Sequence, residues 1–504
     1  MKLTRKELLR GADAGFWRRV IADQKQACIA GRGTRMKLTR KELLGGAAAG
    51  ALGAAGIYKL VDELAESPPR AEAGELREEQ YLLSGMKLIT HEGVEVVEPP
   101  LHHQVVTGRL AVEARRDLRK AQRALEEALG ALESRYEPSP AGLAVTVAWG
   151  LPYFRRVVSR PAEQHLPVDR RASTSADRPV SALQDAQRFP SDPDTTVLES
   201  NDVAFLLRSD EREHVADAAR SLFADTDGLF ELTSIRKGFQ GGGFSGGPGL
   251  PKQMAIAAGI QGADLIPEGS QLFLGFTSTQ RDTQGQSRIA NFETLGLVDV
   301  RDGYFRGGTH MHLSHLFENV EAWYLDFDYR GRVDTTFRPG FEAREGAQTL
   351  PQAPEDAASE ADLKGDFSRT GAIGHSGSIQ PTSRLQMDIK GGDGETYAKG
   401  SAIPLRADFN TLDNPFFWTS DPERDRHSEQ PDAGLHFIVF NPSSDDFRRN
   451  RLAMDGVLPD GTELPLEARS RAQGLNSVLR TTHRQNYLVP PRSRRSFPLV
   501  ELLR

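Results

Sequence analysis

The chain of 504 residues contains a single cysteine, Cys28, which lies in its N-terminal region. The remainder of the chain therefore has no disulfide, no thiolate metal ligand and no cysteine nucleophile. The sequence also lacks a P-loop, a dinucleotide-binding fingerprint, a nucleophile elbow and paired CxxC zinc sites. After these exclusions, two histidine-bearing segments are the candidates for chemistry.

Concentrated positive charge is missing as well. The formal net charge is -7, and basic residues cluster only near the C-terminus, around Arg492, Arg494 and Arg495. We therefore expect no nucleic-acid partner. Since short basic runs are common in solvated segments, we predict that residues 456–504 form an exposed C-terminal tail.

The N-terminal region contains an exact repeat. Residues 1–9 and residues 36–44 both read MKLTRKELL, and an apolar run from Leu43 to Tyr58 follows only the second copy. We interpret residues 1–35 as an upstream duplication or a mis-set start.

Residues 36–73 have the features of an export signal. They combine a basic start, a Gly/Ala-rich core and a possible cleavage site at Ala71-Glu72-Ala73. The basic start resembles a twin-arginine signal in which Lys41 replaces the second arginine. We expect an exported protein that contacts a membrane only through this leader, and an uncleaved anchor is the alternative.

After a polar linker at residues 74–100, the pattern of apolar residues alternates between the periods of helices and strands. This predicts an α+β fold with one half at residues 101–268 and another at residues 269–455. The region from 159 to 195 is rich in Arg, Asp, Ser and Pro and is predicted as a long surface loop. Helices are predicted at Val112–Tyr136 and His214–Phe223, and strands at Gly142–Trp149, Val203–Leu207, Leu272–Phe276, His310–Leu313 and Leu435–Phe440.

The first histidine-bearing segment is a predicted strand. On a strand, His310 and His312 point to the same face, so they could bind a metal ion with a third group. His315 and Glu318 are the nearest additions, although their spacing completes no known site. The alternative is that these histidines are ordinary strand residues, some of them partly buried.

The second segment is the turn Gly374-His375-Ser376. A lone histidine in such a turn is usually a satisfied polar residue, and residue types alone favour that interpretation over a ligand.

From about Leu101 to Asp455 the chain contains a series of short motifs in a fixed order. They are GLAVTVAWGLP at 142–152, NDVAFLL at 201–207, a Gly-rich stretch at 238–251, GGT at 307–309, GHS at 374–376, PLRADFN at 404–410 and GLHFIVF at 434–440. In this order, and through no single motif, the chain resembles the dye-decolourising (DyP-type) peroxidase family.

The resemblance implies a fold and a chemistry. The fold is two ferredoxin-like halves in a dimeric α/β-barrel-like arrangement, each an antiparallel sheet with helices on one face. His375 matches the histidine that binds the iron of haem b, and Arg406 matches the arginine beside the bound peroxide. The implied activity is reduction of hydrogen peroxide by an organic electron donor, in a protein that could form homo-oligomers. Asp445 or Asp446 could support His375 with a carboxylate, because such a bond makes the imidazole more electron-rich.

One departure from the family is important. Gly246 stands where the family has its distal aspartate and is the third expected haem-binding position, and no Asp or Glu occurs between Glu231 and Asp264. Loss of a positioned general base typically costs about 10²–10⁴-fold in rate. Besides the peroxidase, a catalytically weak or inactive haem-binding or haem-free surface module therefore remains open. A metal-dependent protein that uses His310, His312 and His315 is the third alternative.

Overall fold

The structure is a computed structural model. It describes residues 57–65, 74–91, 94–112, 115–223, 226, 228–242, 248–276, 300–342, 358–385, 387–390, 396–397, 399–400, 402–413 and 431–503. The predicted duplication at 1–35 and most of the predicted leader lie outside these residues.

The described strands are, in chain order, β1 (Lys87–His91), β2 (Val94–Glu98), β3 (His102–Leu110), β4 (Ala144–Gly150), β5 (Val197–Leu198), β6 (Val203–Ser209), β7 (Phe230–Phe239), β8 (Thr309–Glu318), β9 (Ile389–Lys390), β10 (Thr396–Tyr397), β11 (Leu405–Arg406), β12 (Phe409–Thr411), β13 (Gly434–Asn441) and β14 (Leu479–Val489). The described α-helices are α1 (Lys59–Leu64), α2 (Arg115–Arg135), α3 (Leu151–Arg156), α4 (Ser159–His165), α5 (Arg170–Ala176), α6 (Arg212–Phe223), α7 (Leu250–Ala258), α8 (Val320–Leu325), α9 (Tyr329–Thr336), α10 (Glu360–Thr370), α11 (His375–Ser383) and α12 (Ser444–Met454).

The two halves have the same strand order. In the first half, antiparallel pairs arrange the strands as β7-β3-β6-β4, with α2 after the first strand and α6 after the third. In the second half the order is β14-β8-β13-β12, with α12 after the third strand. Numbered within each half, both orders are 4-1-3-2, which is the arrangement of a ferredoxin-like unit. The predicted α+β class with a largely antiparallel sheet is confirmed.

Strand pairs also join the halves on both sides. β4 pairs with β14 through Trp149 and Leu488, and β7 pairs with β12 through Phe239 and Asn410. The pairs between neighbouring strands therefore form a closed series that passes through both halves.

The sheet and helices of the first half are held together by a large apolar core. Leu118, Leu125, Leu129 and Leu132 lie along one side of α2 and are buried against the sheet. Their helical spacing is what predicted this helix, and the prediction is confirmed with the bounds Arg115–Arg135.

The prediction of an exposed C-terminal tail is wrong. Residues Leu479–Val489 form a strand of the sheet, and Phe497, Leu499 and Val500 are fully buried in the first half's core. Arg495 from the basic cluster is buried and pairs with Glu126 at 2.8 Å. The segment is polar in composition, but many of its polar side chains are buried and form hydrogen bonds or ion pairs inside the fold.

Two further predictions need correction. The region from 159 to 195 is not one continuous loop, because it contains α4 and α5. The start of α5 is stabilised by Asp169, whose side chain accepts a hydrogen bond from the Ala172 amide. Residues Leu272–Phe276 form turns and bends, not a strand. Their side chains nevertheless pack inward, and Phe273 is fully buried.

The end of the predicted leader packs on the body of the protein. The Tyr58 hydroxyl donates to Asp413 at 2.8 Å and lies 3.1 Å from the Thr411 hydroxyl. Leu60 and Val61 are buried as well. Among the described residues, no helix has the length and apolar character needed to cross a membrane.

Candidate functional site

A wide cavity lies between the sheet and the helices of the second half. It encloses an empty volume of about 1120 Å³, part of which is open to solvent. The strands β8, β13 and β14 contribute one wall, and the helices α11 and α12 contribute another. Its lining is largely apolar and includes Leu274, Phe276, Leu316, Phe437, Phe447 and Met454.

His375 lies on the wall of this cavity as the first residue of α11. The backbone just before His375 lies close to the backbone at Phe337, since a Cβ atom at Gly374 would lie 2.4 Å from the Phe337 carbonyl oxygen. Burial, together with the positive charges of Arg406 and Arg451, lowers the pKa of His375 to about 4. The imidazole is therefore neutral near pH 7, which is the form that binds metals.

Arg406 and Asp408 reach the same cavity from β11 and the residues just after it. Arg406 Nε lies 3.6 Å from Asp408 Oδ1. Ala407, between them, belongs to the apolar core on the opposite face with Leu405 and Phe409. A charged side chain at position 407 would lie in that core, so the position favours a small apolar residue such as alanine.

Glu318 is one of three carboxyl groups on the cavity wall, with Asp408 and Asp192. It ends β8, on the same face as Ser314 and Leu316, which also line the cavity. Burial, together with the negative charge of Asp408, raises the pKa of Glu318 to about 8. Burial also raises the pKa of Asp408, whereas Arg406 acts in the opposite direction.

Several buried polar atoms on this wall make no hydrogen bond within the described part of the chain. They are Nδ1 of His375, Oε2 of Glu318, Oδ1 of Asp408 and Oγ1 of Thr336, and all four residues line the cavity. Leaving a buried polar atom unpaired costs about 1–3 kcal/mol. Their concentration at one cavity makes it the candidate functional site.

The histidines of β8 do not form a metal site. His312 stacks on Phe447 at 3.4 Å and lies 2.7 Å from Asn486 Oδ1 through its Nδ1 atom. His315 points to the other face and contacts the Thr482 hydroxyl at 2.6 Å. No group of three His, Cys, Asp or Glu side chains suited to a metal ion occurs among the residues that the structure describes. The interpretation of His310, His312 and His315 as ordinary strand residues is the one that fits.

Asp445 and Asp446 do not support His375. Both carboxylates bind the guanidinium of Arg171, at 2.9 Å and 2.7 Å. They lie in the first turn of α12, where Asp446 also completes a capping box with Ser443. This expectation from the sequence is corrected because helix capping and Arg171 account for both carboxylates.

The third expected cofactor-binding position, Gly246, lies outside the described residues. Sequence reasoning did not identify Asp408 and considered Glu318 only as a metal ligand. The two-residue period of strands could have identified both residues. Asp408 lies on the same face as Arg406, and Glu318 lies on the same face as His312, so each follows a residue that was already a candidate.

The residues of the cavity fit a haem group. Haem requires an apolar slot, an imidazole for its iron and polar groups near its reactive face. The cavity supplies aromatic and aliphatic walls, the neutral imidazole of His375 with an unpaired Nδ1, and the cations Arg406 and Arg451. No other described histidine lines this cavity.

Solved structures with the same arrangement are DyP-type peroxidases. The DyP-type peroxidase from Cellulomonas bogoriensis is 18% identical over 84% of this chain and 96% of its own, with a TM-score of 0.50. The encapsulated DyP-type peroxidase from Mycobacterium smegmatis is 10% identical over 79% and 96%, with a TM-score of 0.45. A dye-decolorizing protein from V. cholerae is 14% identical over 78% and 95%, with a TM-score of 0.41. At these identities the likeness concerns the fold, which is that of the DyP-type peroxidases.

The family of the chain is also shown. The profile of a family of unknown function, DUF7405, matches residues 100–491, and the chain belongs to this family. Among curated proteins, none matches the chain.

Proposed function

We propose that this protein is a haem-dependent peroxidase of the dye-decolourising type, which reduces hydrogen peroxide with an organic electron donor. The observation that carries the proposal is the neutral, unpaired imidazole of His375 on the wall of an apolar cavity that also contains Arg406. The fold shared with DyP-type peroxidases supports it.

The residues of the chain would have separate tasks. His375 would bind the iron of haem b, and the largely apolar lining would hold the ring and keep water away. Arg406, about one-sixth exposed, would hold a peroxide oxygen and stabilise the negative charge that develops on it. When bound, haem supplies the electrons that break the O–O bond.

Three further features belong to this proposal. The two halves would form the dimeric α/β-barrel-like unit of the family, in keeping with the strand pairs that join them on both sides. Residues 36–73 would direct export by a twin-arginine-like signal.

The packing of Tyr58 and Val61 on the body of the protein favours a leader that is retained as an anchor. Homo-oligomers are part of the same expectation.

The test is reconstitution of the full-length chain with haemin. Wild type is expected to give a Soret band that His375→Ala loses or shifts, because the axial imidazole is gone. The matched control is His165→Ala, since His165 lies in the first half and does not line the cavity. A wild type without a Soret band, or a His375→Ala variant with an unchanged spectrum, would contradict the proposal.

A module that binds haem with little turnover is the second candidate. The glycine at position 246, in place of an aspartate, favours it. A normal Soret band without any spectral change on addition of hydrogen peroxide would select this candidate.

A further inference from the structure

Peroxide cleavage needs a group that moves a proton from one peroxide oxygen to the other. The family's aspartate is not available for this task, since Gly246 takes its place. The cavity nevertheless contains three carboxyl groups. Asp192 is paired with Arg484 at 2.8 Å, whereas Glu318 and Asp408, which are 4% and 3% exposed, each have a buried oxygen that makes no hydrogen bond within the described residues.

We propose that the Glu318 carboxyl group carries this proton through its Oε2 atom, and that Asp408 is a positioning residue that tunes it. The inference rests on the proposed function and deepens it. It assigns the acid–base task to the end of β8, on a different part of the chain from the Gly-rich stretch.

The geometry supports Glu318 in three ways. Its Oε2 atom is buried and has no hydrogen-bond partner within the described residues, so it is available to a ligand. It lines the same cavity as His375 and Arg406. The strand also fixes its backbone, because the Glu318 amide donates to the Ala433 carbonyl oxygen at 3.0 Å and Glu318 is paired with Leu479 of β14.

Asp408 occupies a different position. Its Oδ1 atom lies 3.6 Å from Arg406 Nε, so the Asp408 carboxylate forms an ion pair with the Arg406 guanidinium. Its negative charge also acts on Glu318 and favours the protonated form there. We therefore assign the proton to Glu318 and the tuning of its acidity to Asp408.

The step balances as a proton transfer coupled to cleavage of one bond. Glu318 Oε2 would accept a proton from one oxygen of hydrogen peroxide and return a proton to the other oxygen, which would leave as water when the O–O bond breaks. A haem group held by His375 would supply the two electrons for this cleavage. Glu318 would end in the protonation state in which it began.

This assignment predicts a particular pH dependence. Since the pKa of Glu318 is about 8, the carboxylate that accepts the proton becomes more abundant as the pH rises through that value. The peroxide reaction should therefore accelerate on the alkaline side. The ionisable groups that act on Glu318 or share its cavity are Asp192, Asp408, Arg406, Tyr324, His375, Arg451 and Arg484.

The experiment compares haemin-loaded wild type, Glu318→Gln and Asp408→Asn. Stopped-flow absorption measures the rate of the peroxide reaction from pH 5 to 9, and the Soret spectrum before peroxide is the second readout. We expect Glu318→Gln to keep the Soret band, to lose about 10²-fold or more in rate and to lose the rise near pH 8. Asp408→Asn should move that rise to lower pH, because a neighbouring negative charge is removed.

The control is Glu321→Gln, which makes the same change at an exposed position on α8. Glu318→Asp tests the chemistry independently of folding, since it should restore part of the rate and a pH-dependent rise. The inference is overturned if Glu318→Gln matches wild type in rate and pH profile while His375→Ala loses the Soret band. If wild type binds no haem, the proposed function fails, and this inference fails with it.

Discussion

The two halves of this protein have the same strand order but differ in what occupies the space between sheet and helices. In the first half that space is filled by aromatic side chains, among them Trp149, Tyr153, Phe205 and Phe230. Their ring centroids lie 4.3–6.5 Å apart. In the second half the corresponding space is a cavity whose wall contains His375 and other polar groups without partners in the described chain.

The difference shows how one architecture serves two purposes. A filled core contributes stability through apolar burial and close packing, whereas an open cavity with unpaired polar groups gives up part of that stability. The first half can therefore support the fold, while the second half keeps the space that the proposed haem group would occupy.

The largest effect should come from equivalent truncations in the two halves. Phe205 on β6 and Phe437 on β13 both lie on the third strand of their half. Phe205→Ala leaves a void in a filled core and should lower the free energy of unfolding by about 3–5 kcal/mol. Phe437→Ala enlarges an existing cavity and should cost less, about 1–2 kcal/mol. Urea denaturation of both variants without haem measures this, and equal losses would remove the distinction between the halves.

The C-terminal segment that closes the filled core gives the second prediction. Arg495 is buried against Glu126 and Glu133, whereas Arg494 is exposed beside Glu501. Arg495→Ala removes a buried guanidinium together with its packing and leaves the half-exposed Glu126 and the partly buried Glu133 without their partner, which should cost about 2–3 kcal/mol. Arg494→Ala should cost about 0–1 kcal/mol. Thermal denaturation of the two variants compares them, and a large loss in Arg494→Ala alone would contradict the burial.

The third prediction concerns the charge on the cavity wall. The pKa of Glu318 is raised from 4.5 to about 8, so between these values the folded chain holds a proton that the unfolded chain has lost. Its contribution to stability is therefore complete below pH 4.5 and is lost as the pH rises through 8.

In Glu318→Gln that loss should be absent, so that the variant gains about 2 kcal/mol over wild type between pH 6.5 and pH 8.5. This window lies above the pKa range of His375 and Asp413, so their titration contributes little. Urea denaturation of the protein without haem at both pH values is the measurement. Parallel wild-type and variant curves would show that Glu318 is not buried as a neutral acid.

The smallest effect should come from the N-terminal segment. Tyr58→Phe removes a buried hydroxyl that donates to Asp413 and should cost about 1–2 kcal/mol. Tyr136→Phe removes a hydroxyl that donates to Asp217 at a less buried position, and it should cost under about 1 kcal/mol. Thermal denaturation of both variants tests this. A Tyr58→Phe variant as stable as wild type would mean that the segment does not contribute to the fold.

Elements with a clear period were predictable from the sequence. The helix at Arg115–Arg135 follows from the leucines along one side, and the strands Ala144–Gly150 and Gly434–Asn441 follow from their apolar pattern. His375 and Arg406 became candidates only through the order of motifs. The cavity they share was not predictable, because strands and helices far apart in sequence form its walls.

The sequence by itself determined the α+β class, the main helices and strands, and the absence of cysteine chemistry from the body. Only the tertiary structure decided that Leu479–Val489 is a buried strand, because its polar side chains have distant partners: Arg484 pairs with Asp192 and Gln485 bonds Asn201. The same holds for Glu318, whose environment is set by burial and by Asp408. A residue's type is local information, but its burial and its partners depend on how the whole chain packs.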